Sequence, residues 1–241
     1  MPLLEARGIS KSFRGLHAVS NASFAVPEGD INGLIGPNGA GKTTIFNMIA
    51  GVYAPDSGEI VFEGRRIDGR RPDQVCAAGI GRTFQIVKPF AGLTVLDNVM
   101  VGAFLKEKTS AGARALAASI VDKLGLGPKR DLPAASLTLP DRKRLEVARA
   151  LATRPRLLLL DEVMAGLRPT ECDQMVEIFR ELNRRDGTTI LLIEHVMRAV
   201  MALARHIGVL HHGEVIARGT PDEVVRDPAV LECYLGEEAE I

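Results

Sequence analysis

The chain has 241 residues, 46% of them hydrophobic, and 30 basic residues balance 30 acidic ones to give a formal net charge of +0. This length predicts one α/β domain, or one domain with a subdomain, with a sizeable core. The charge balance gives no support to a nucleic-acid or anionic-membrane partner. Three widely spaced cysteines form no metal or redox pattern, which favours a reducing cytoplasm.

The ends and the apolar runs of the chain show no membrane signal. Residues 1–7 contain Glu5 and no long apolar stretch, so we expect no signal peptide. The longest apolar candidate, 196–210, is interrupted by Arg198, Arg205 and His206, which argues against a membrane span. We therefore expect a protein that is soluble in isolation.

The first predicted elements are short strands separated by turns. Strand-like composition covers 3–7, 18–26, 30–35 and 59–63, and turn residues occupy 27–30 and 55–58. These strands predict a small antiparallel sheet around the loop that follows residue 35. A short helix over 73–78 and a strand over 80–84 come next.

The sequence pattern becomes helical after residue 85. After Pro155, predicted strands again alternate with predicted helices. Helices are predicted over 94–105, 111–124 and 141–153. The alternating part has predicted strands at 157–161, 188–194, 207–211 and 215–218, helices at 169–185 and 197–204, and then two short helices and an acidic tail from Pro221. Strands alternating with helices predict an α/β fold with a mostly parallel sheet covered on both faces.

A glycine-rich loop follows the strand at 30–35. It reads Gly36-Pro37-Asn38-Gly39-Ala40-Gly41-Lys42-Thr43-Thr44 and fits the pattern G-x-x-x-x-G-K-[ST]. The glycines let backbone N–H groups approach phosphate oxygens, Lys42 can reach the β- and γ-phosphates, and Thr43 offers a hydroxyl to Mg²⁺. The predicted helix over 44–50 adds a dipole that favours an anion. The loop therefore predicts binding of a nucleoside triphosphate with Mg²⁺; the alternative is a chance glycine-rich turn.

Polar residues at strand ends are candidates for the rest of this site. Asp161 ends a four-leucine strand and can hold Mg²⁺ opposite Thr43, and Glu162 can accept a proton from an attacking water. The alternative for this pair is a surface turn. His195 can touch the γ-phosphate region or be structural, and Gln85 can bond the attacking water or the metal shell, or cap a turn.

Taken together, these residues resemble the ATP-binding cassette of ABC transporters over essentially the whole chain. The resemblance implies the following roles: Walker A for 36–44, Walker B for 157–161, the catalytic glutamate for Glu162, the Q-loop for Gln85 and the switch histidine for His195. Phe13 stands where the family has an aromatic residue that stacks on adenine, which implies ATP. The implied Mg²⁺ ligands are Thr43, Gln85 and Asp161.

Several separated segments look more closely like the cassettes of branched-chain amino-acid importers. They are Arg82-Thr83-Phe84-Gln85, 93–99, 193–195, 219–221 and 234–236. The resemblance implies a P-loop NTPase of the ABC type, with an N-terminal antiparallel β-subdomain and a helical subdomain. It divides a single domain, 1–241, into a core of 1–84 and 155–241 and a helical part, 85–154.

The same resemblance implies a place and partners for the protein. The place is the cytoplasmic face of the membrane, as a peripheral subunit. The partners are a second cassette in a head-to-tail dimer, membrane permease subunits and, indirectly, a periplasmic or extracellular substrate-binding protein. Plausible permease contacts are Gln85, Ile86, Phe90 and Leu93, and the alternative for these residues is packing of the helical subdomain.

One segment departs from the family pattern. The helix over 144–151 matches the family, but the preceding Leu-Ser-Gly-Gly-Gln motif is replaced by Leu137-Thr138-Leu139-Pro140-Asp141. In the family this loop faces the γ-phosphate held by the opposite subunit. Pro140 has no N–H to donate and Asp141 adds a negative charge, although both are good helix-opening residues.

Two further departures are Val163, where the family has proline, and Arg168, where it has aspartate or asparagine. We therefore hypothesise an asymmetric pair with a different cassette whose signature motif is intact. The site on Lys42, Asp161, Glu162 and His195 would hydrolyse ATP, and the reverse site would be weak or silent. The main alternative is a regulatory cassette with little hydrolysis. Another phosphate-loop class, such as a nucleotide kinase or GTPase, leaves the 144–151 helix unexplained.

Overall fold

The computed structural model describes residues 2–85 and 88–238, with the backbone alone for 235–238. The chain forms two compact units. The first unit combines Met1–Val75 with Thr189–Ile241, and the second unit is the continuous segment Cys76–Thr188. Within the described residues, none of the helices has both the length and the apolar character that a membrane crossing requires.

The described elements alternate between strands and helices along most of the chain. In chain order they are β1 (Pro2–Phe13), β2 (Leu16–Pro27), β3 (Ile31–Ile35), α1 (Lys42–Ile49), β4 (Ser57–Phe62), β5 (Arg65–Arg66), α2 (Pro72–Ala78), β6 (Ile80–Arg82), α3 (Val95–Ala103), α4 (Ser110–Lys123), α5 (Leu139–Leu151), β7 (Leu157–Asp161), α6 (Pro169–Asp186), β8 (Thr189–Ile193), α7 (Met197–Leu203), β9 (His206–His211), β10 (Glu214–Gly219), α8 (Pro221–Arg226) and α9 (Pro228–Glu238). Two 3₁₀ turns, Gly127–Lys129 and Ala134–Ser136, precede α5.

The first unit contains the small antiparallel sheet that the sequence predicts. Its strand order is β2-β1-β4-β5, and β1 pairs with both β2 and β4 in antiparallel fashion. The strand predicted over 3–7 is longer in the structure because β1 continues to Phe13 and pairs there with Leu16 of β2. Arg14 and Gly15, both with positive φ, form the tight connection between the two strands.

A second sheet in the first unit carries the phosphate loop. Here β3 lies between β8 and β9 and is parallel to both, while β10 runs antiparallel to β9. All five residues of β3 and all five of β8 are buried, as expected for parallel strands covered on both faces. The predicted parallel pairing is therefore confirmed in this unit.

The second unit combines a two-stranded parallel ladder with helices. β6 and β7 are paired from Ile80 with Leu157 to Arg82 with Leu159, so the strand predicted over 80–84 ends earlier, at Arg82. The helices predicted between residues 94 and 153 are all present. α3 begins after Thr94, whose hydroxyl oxygen accepts a hydrogen bond from the Asp97 N–H.

Candidate nucleotide site

The phosphate loop follows β3 and is closely packed against its surroundings. Gly36 has φ 145°, and a Cβ there would lie 1.9 Å from the Leu210 carbonyl oxygen. Gly41 has φ 103°, and a Cβ there would lie 2.2 Å from the Ala18 carbonyl oxygen. Only glycine fits at these two positions, so the sequence pattern reflects both conformation and space.

Lys42 begins α1, and its ammonium group is held by the loop itself. The Nζ atom donates hydrogen bonds to the carbonyl oxygens of Gly36 (2.6 Å) and Pro37 (2.7 Å). Gly41 caps the helix without a side-chain hydrogen bond, and the first turn of this fully described helix contains no acidic residue. The N–H groups at the helix start and the helix dipole therefore favour an anion at the loop.

Phe13 offers a partly exposed aromatic face at the end of β1. Its ring packs edge-on against Tyr53, with the ring centroids 5.1 Å apart and the ring planes at 68°. The Lys11 Nζ atom lies 5.7 Å from the Phe13 centroid and also bonds the Asp56 carboxylate at 2.6 Å. An aromatic ring held in this way at the surface can stack against a flat base.

His195 lies at the same edge of its sheet as the phosphate loop. β3 and β8 are parallel neighbours, with Leu34 paired to Ile193, so both strands end at one edge. The loop begins directly after β3, and exposed His195 follows β8 by two residues. The first unit thus brings together His195 and the loop, two of the predicted groups, at the carboxyl ends of parallel strands.

The second unit brings together Gln85 and Glu162. These residues follow the parallel strands β6 and β7, and the Gln85 Nε2 atom donates a hydrogen bond of 2.6 Å to Glu162 Oε2. Glu162 has a left-handed backbone with φ 49°, which is uncommon for a residue that is not glycine. Such conformations concentrate at functional sites, where the surrounding structure maintains them.

Asp161 is buried with one oxygen paired and the other unpaired. Arg82 Nη2 lies 2.9 Å from Asp161 Oδ2, and the Asp161 N–H donates to the Thr83 hydroxyl oxygen at 3.1 Å. Burial raises the pKa of Asp161 above its ordinary value although Arg82 opposes the shift. Asp161 Oδ1 is buried and has no hydrogen-bond partner among the described residues. A buried carboxylate oxygen without a donor fits a hard cation such as Mg²⁺.

Sequence reasoning did not identify Arg82 or Lys143 as site residues. Lys143 is buried, and its Nζ atom donates to the carbonyl oxygens of Glu162 (3.0 Å) and Gln85 (3.4 Å). The sequence contained a signal for it, because Lys143 shares the buried face of α5 with Val147 and Ala150 at helical spacing. A lysine among buried helix positions indicates a specific polar partner.

The segment with the altered signature has satisfied its polar groups internally. Asp141 Oδ2 accepts a hydrogen bond of 2.7 Å from the Thr138 hydroxyl and is also bonded by Lys129 Nζ. Burial opposes ionisation, but these two hydrogen bonds and the charges of Lys129 and Arg144 hold the pKa of Asp141 below its ordinary value. Pro140 and Asp141 occupy the first turn of α5, which confirms the predicted helix opening.

The other departures and the predicted permease contacts lie in the second unit. Val163 is buried, whereas Arg168 is exposed at the start of α6, where Glu171 accepts a hydrogen bond of 2.8 Å from the Arg168 N–H. Phe90 is 46% exposed and Leu93 is 39% exposed, so neither is a core residue of this unit. Ile86 lies outside the described residues.

Two groups of residues therefore define the class of protein. The first unit has a strand, a glycine loop and a helix N-terminus with a buried lysine, and the second has a carboxylate pair at the end of a buried parallel strand. Such a combination defines a phosphate-loop nucleotide-binding protein.

Comparisons with known proteins define the family within this class. A model of the ABC transporter family matches residues 19–165, and a model described as branched-chain amino acid ATP-binding cassette transporter matches residues 214–240. The branched-chain amino acid transport ATP-binding protein LivG of Salmonella typhimurium is 40% identical over an alignment of 251 positions. The alignment covers 98% of this chain and 98% of LivG. BraF of Pseudomonas aeruginosa, with the same description, is 38% identical with the same coverage.

The fold agrees with these matches. The structure of MJ1267, an ATP-binding cassette of an ABC transporter, in its ADP conformation has a TM-score of 0.89 and 32% identity, covering 98% of this chain and 99% of that one. The chain therefore belongs to the ABC transporter family as an ATP-binding cassette, an ATPase class, and the predicted family and α/β fold are confirmed. It is related to the ATP-binding proteins of branched-chain amino acid transport.

Proposed function

We propose that this chain is the ATP-hydrolysing subunit of an ABC importer for branched-chain or other hydrophobic amino acids. The observation that carries the proposal is similarity over nearly the whole chain to LivG and BraF, whose names describe branched-chain amino acid transport. The C-terminal match over residues 214–240 supports the same assignment from a second part of the chain. Separate membrane subunits carry the substrate path, and the chain acts on them from the cytoplasmic face as a peripheral subunit.

We assign a role to each group of residues, unit by unit. Residues 36–44 bind the phosphates, and Phe13 stacks on the adenine. Thr43, Gln85 and Asp161 are the ligands proposed for Mg²⁺, which neutralises phosphate charge when bound. The unpaired Oδ1 of Asp161 supports this assignment, since a buried oxygen without a donor suits a cation.

Glu162 is proposed as the group that receives the proton of the attacking water. Its contact with Gln85 (2.6 Å) supports a shared role in orienting that water, and His195 is proposed to contact the γ-phosphate. We further propose that 1–84 with 155–241 forms the core of a single domain and that 85–154 forms its helical subdomain.

The hydrolytic role is tested by Glu162→Gln, which keeps the size of the side chain but cannot accept a proton. We expect turnover of the assembled transporter to fall by about 10²- to 10⁴-fold, the range for losing a general base, with ATP binding retained. Glu181→Gln, on the exposed face of α6, is the matched control and should keep full activity. Unchanged turnover in Glu162→Gln would contradict the proposal.

The transport role is tested with the membrane subunits in sealed vesicles. Uptake of leucine or isoleucine should require ATP on the side of this chain and should stop in the Glu162→Gln variant. Uptake of a charged amino acid such as lysine under the same conditions, without leucine uptake, would contradict the substrate class.

The alternative is a regulatory cassette that binds ATP but hydrolyses little of it. The altered signature at 137–141 favours this alternative, because Pro140 has no N–H and Asp141 carries a negative charge. Hydrolysis is still possible with this altered segment if the chain pairs with a different cassette whose signature motif is intact. The loop of this chain then faces the weak site, and its own phosphate loop belongs to the active one.

A further inference from the structure

The end of β6 places an arginine beside the carboxylate that ends β7. Arg82 is the last residue of β6, and its partner in the parallel register is Leu159, two residues before Asp161. Side chains two residues apart on a strand lie on the same face, so the register brings Arg82 and Asp161 to one face of the ladder. The Arg82 Nη2 atom donates a hydrogen bond of 2.9 Å to Asp161 Oδ2.

This ion pair is buried within the second unit. The Arg82 side chain is 9% exposed and the Asp161 side chain is 2% exposed. Two charges held out of water cost desolvation energy, and a well-packed apolar pair of similar volume often stabilises a fold equally well. The buried pair therefore indicates a role in the site at the end of β7 besides a contribution to stability.

Further contacts near the end of β6 fix both members of the pair. The Arg82 Cζ atom lies 5.3 Å from the centroid of the Phe84 ring, so the guanidinium group packs against an aromatic side chain. The Thr83 hydroxyl oxygen accepts a hydrogen bond of 3.1 Å from the Asp161 N–H. The guanidinium group and the backbone of Asp161 are thus both held, which restricts rotation of the carboxylate between them.

The two oxygens of the Asp161 carboxylate differ as a result. Oδ2 accepts the hydrogen bond from Arg82, whereas Oδ1 has no hydrogen-bond partner among the described residues. A cation on Oδ2 would lie next to the guanidinium group and be repelled by it. With Asp161 as a ligand of Mg²⁺, as proposed above, only Oδ1 is therefore left for the cation.

A carboxylate with one available oxygen does not suit all divalent cations equally. Mg²⁺ demands near-octahedral geometry, whereas Ca²⁺ takes more oxygen ligands and can use both oxygens of one carboxylate. We propose that Arg82 is a specificity-determining residue of the metal site, which keeps Asp161 a ligand through one oxygen and thereby favours Mg²⁺ over Ca²⁺. This inference rests on the proposed function, since it takes Asp161 as a metal ligand.

The proposal is tested by calorimetric titration of the full chain with AMP-PNP, a non-hydrolysable analogue of ATP, in saturating Mg²⁺ or saturating Ca²⁺. The quantity to compare is the ratio of the Kd with Ca²⁺ to the Kd with Mg²⁺. For the unmodified chain we expect a ratio of about ten or more, the scale of effects from groups that hold a metal ligand in place. A ratio near one would overturn the proposal.

Two variants of Arg82 test its part in this ratio. Arg82→Met removes the bond to Oδ2 and should lower the ratio about tenfold, because both oxygens of Asp161 become available to Ca²⁺. Arg82→Lys keeps the charge but loses the planar group that packs against Phe84, so it should lower the ratio by a smaller factor. Arg180→Met, which removes an arginine paired with Glu177 on α6, is the matched control and should keep the ratio of the unmodified chain.

The ratio separates positioning of the carboxylate from other effects. Loss of the arginine charge alone changes both dissociation constants by the same factor, because the two cations carry the same charge. A poorly folded variant likewise binds both complexes more weakly without changing the ratio. An unchanged ratio in Arg82→Met, or in Arg82→Lys where the methionine variant does not fold, overturns the proposal. Absence of AMP-PNP binding to the unmodified chain with either cation would instead contradict the proposed function.

Discussion

The phosphate loop and the altered signature segment open two helices in similar ways but use their polar groups differently. At the start of α1, Lys42 Nζ donates hydrogen bonds to two carbonyl oxygens of its own loop. The N-terminus of this helix has no side-chain cap. At the start of α5, the carboxylate of Asp141 occupies the first turn and is bonded by Thr138 and Lys129. The first arrangement favours an incoming anion, whereas the second already contains one.

Because of this difference, the N-terminus of α1 can bind a phosphate and the N-terminus of α5 cannot. In α1 no side chain caps the helix, and its first turn contains no acidic residue. In α5 Pro140 removes an N–H, and the Thr138 hydroxyl is bonded to Asp141 within the chain.

Lys42→Ala tests whether the phosphate loop before α1 binds the phosphates of ATP. Without the ammonium group the loop loses its charged contact with the phosphates, so we expect ATP affinity to fall by about 10- to 100-fold. Lys123→Ala, whose exposed side chain pairs with Asp186 in the second unit, is the control. ATP binding by equilibrium dialysis is the measurement, and unchanged affinity would show that the loop is not the phosphate site.

Lys143→Met tests whether the buried lysine positions the groups at the end of β7. Its Nζ atom bonds the backbone carbonyl oxygens of Glu162 and Gln85, so its loss should lower kcat by about tenfold with little change in KM for ATP. Arg142→Met, one residue away on α5, should leave kcat unchanged, and Lys143→Arg should restore part of it. Equal losses in both methionine variants would mean that the effect is on the helix as a whole.

Asp141→Asn tests whether the charge of Asp141 stabilises the start of α5. The quantity to follow is the pH dependence of the free energy of unfolding. Since the folded state holds the pKa of Asp141 below its ordinary value, its stabilising effect is present above about pH 3.9 and is lost as pH falls through the lower folded-state pKa. We expect the variant to be less stable by about 1–2 kcal/mol at pH 7, because Lys129 is partly exposed and its contribution is screened.

Urea unfolding at several pH values measures this effect. The difference between Asp141→Asn and the unmodified chain should shrink as the solution becomes more acidic. A difference that stays constant with pH would show that Asp141 acts through packing and helix geometry, without a contribution from its charge.

Much of the fold could be predicted from the sequence because its signals are local. The loop at 36–44, the buried strand over 157–161 and the helix opening at Pro140 and Asp141 each depend on neighbouring residues. The ends of strands were less predictable, because the pairing with a neighbouring strand decides where a strand ends. β1 runs to Phe13 because β2 pairs with it, and β6 ends at Arg82 where its ladder with β7 ends.

The unpredicted parts of the site depend on contacts between distant residues. Arg82 and Asp161 are far apart in the sequence and form an ion pair only because β6 and β7 are neighbours. No local pattern encodes such pairs, so they require the structure.

The most direct test of this account is an assay of the assembled transporter with one cassette changed at a time. Glu162→Gln in this chain should abolish ATP turnover, because its phosphate loop belongs to the active site of the pair. The equivalent change in the partner cassette should leave most of the turnover, since that site faces residues 137–141 of this chain. The reverse result, with turnover intact after Glu162→Gln here and lost after the change in the partner, would contradict the account.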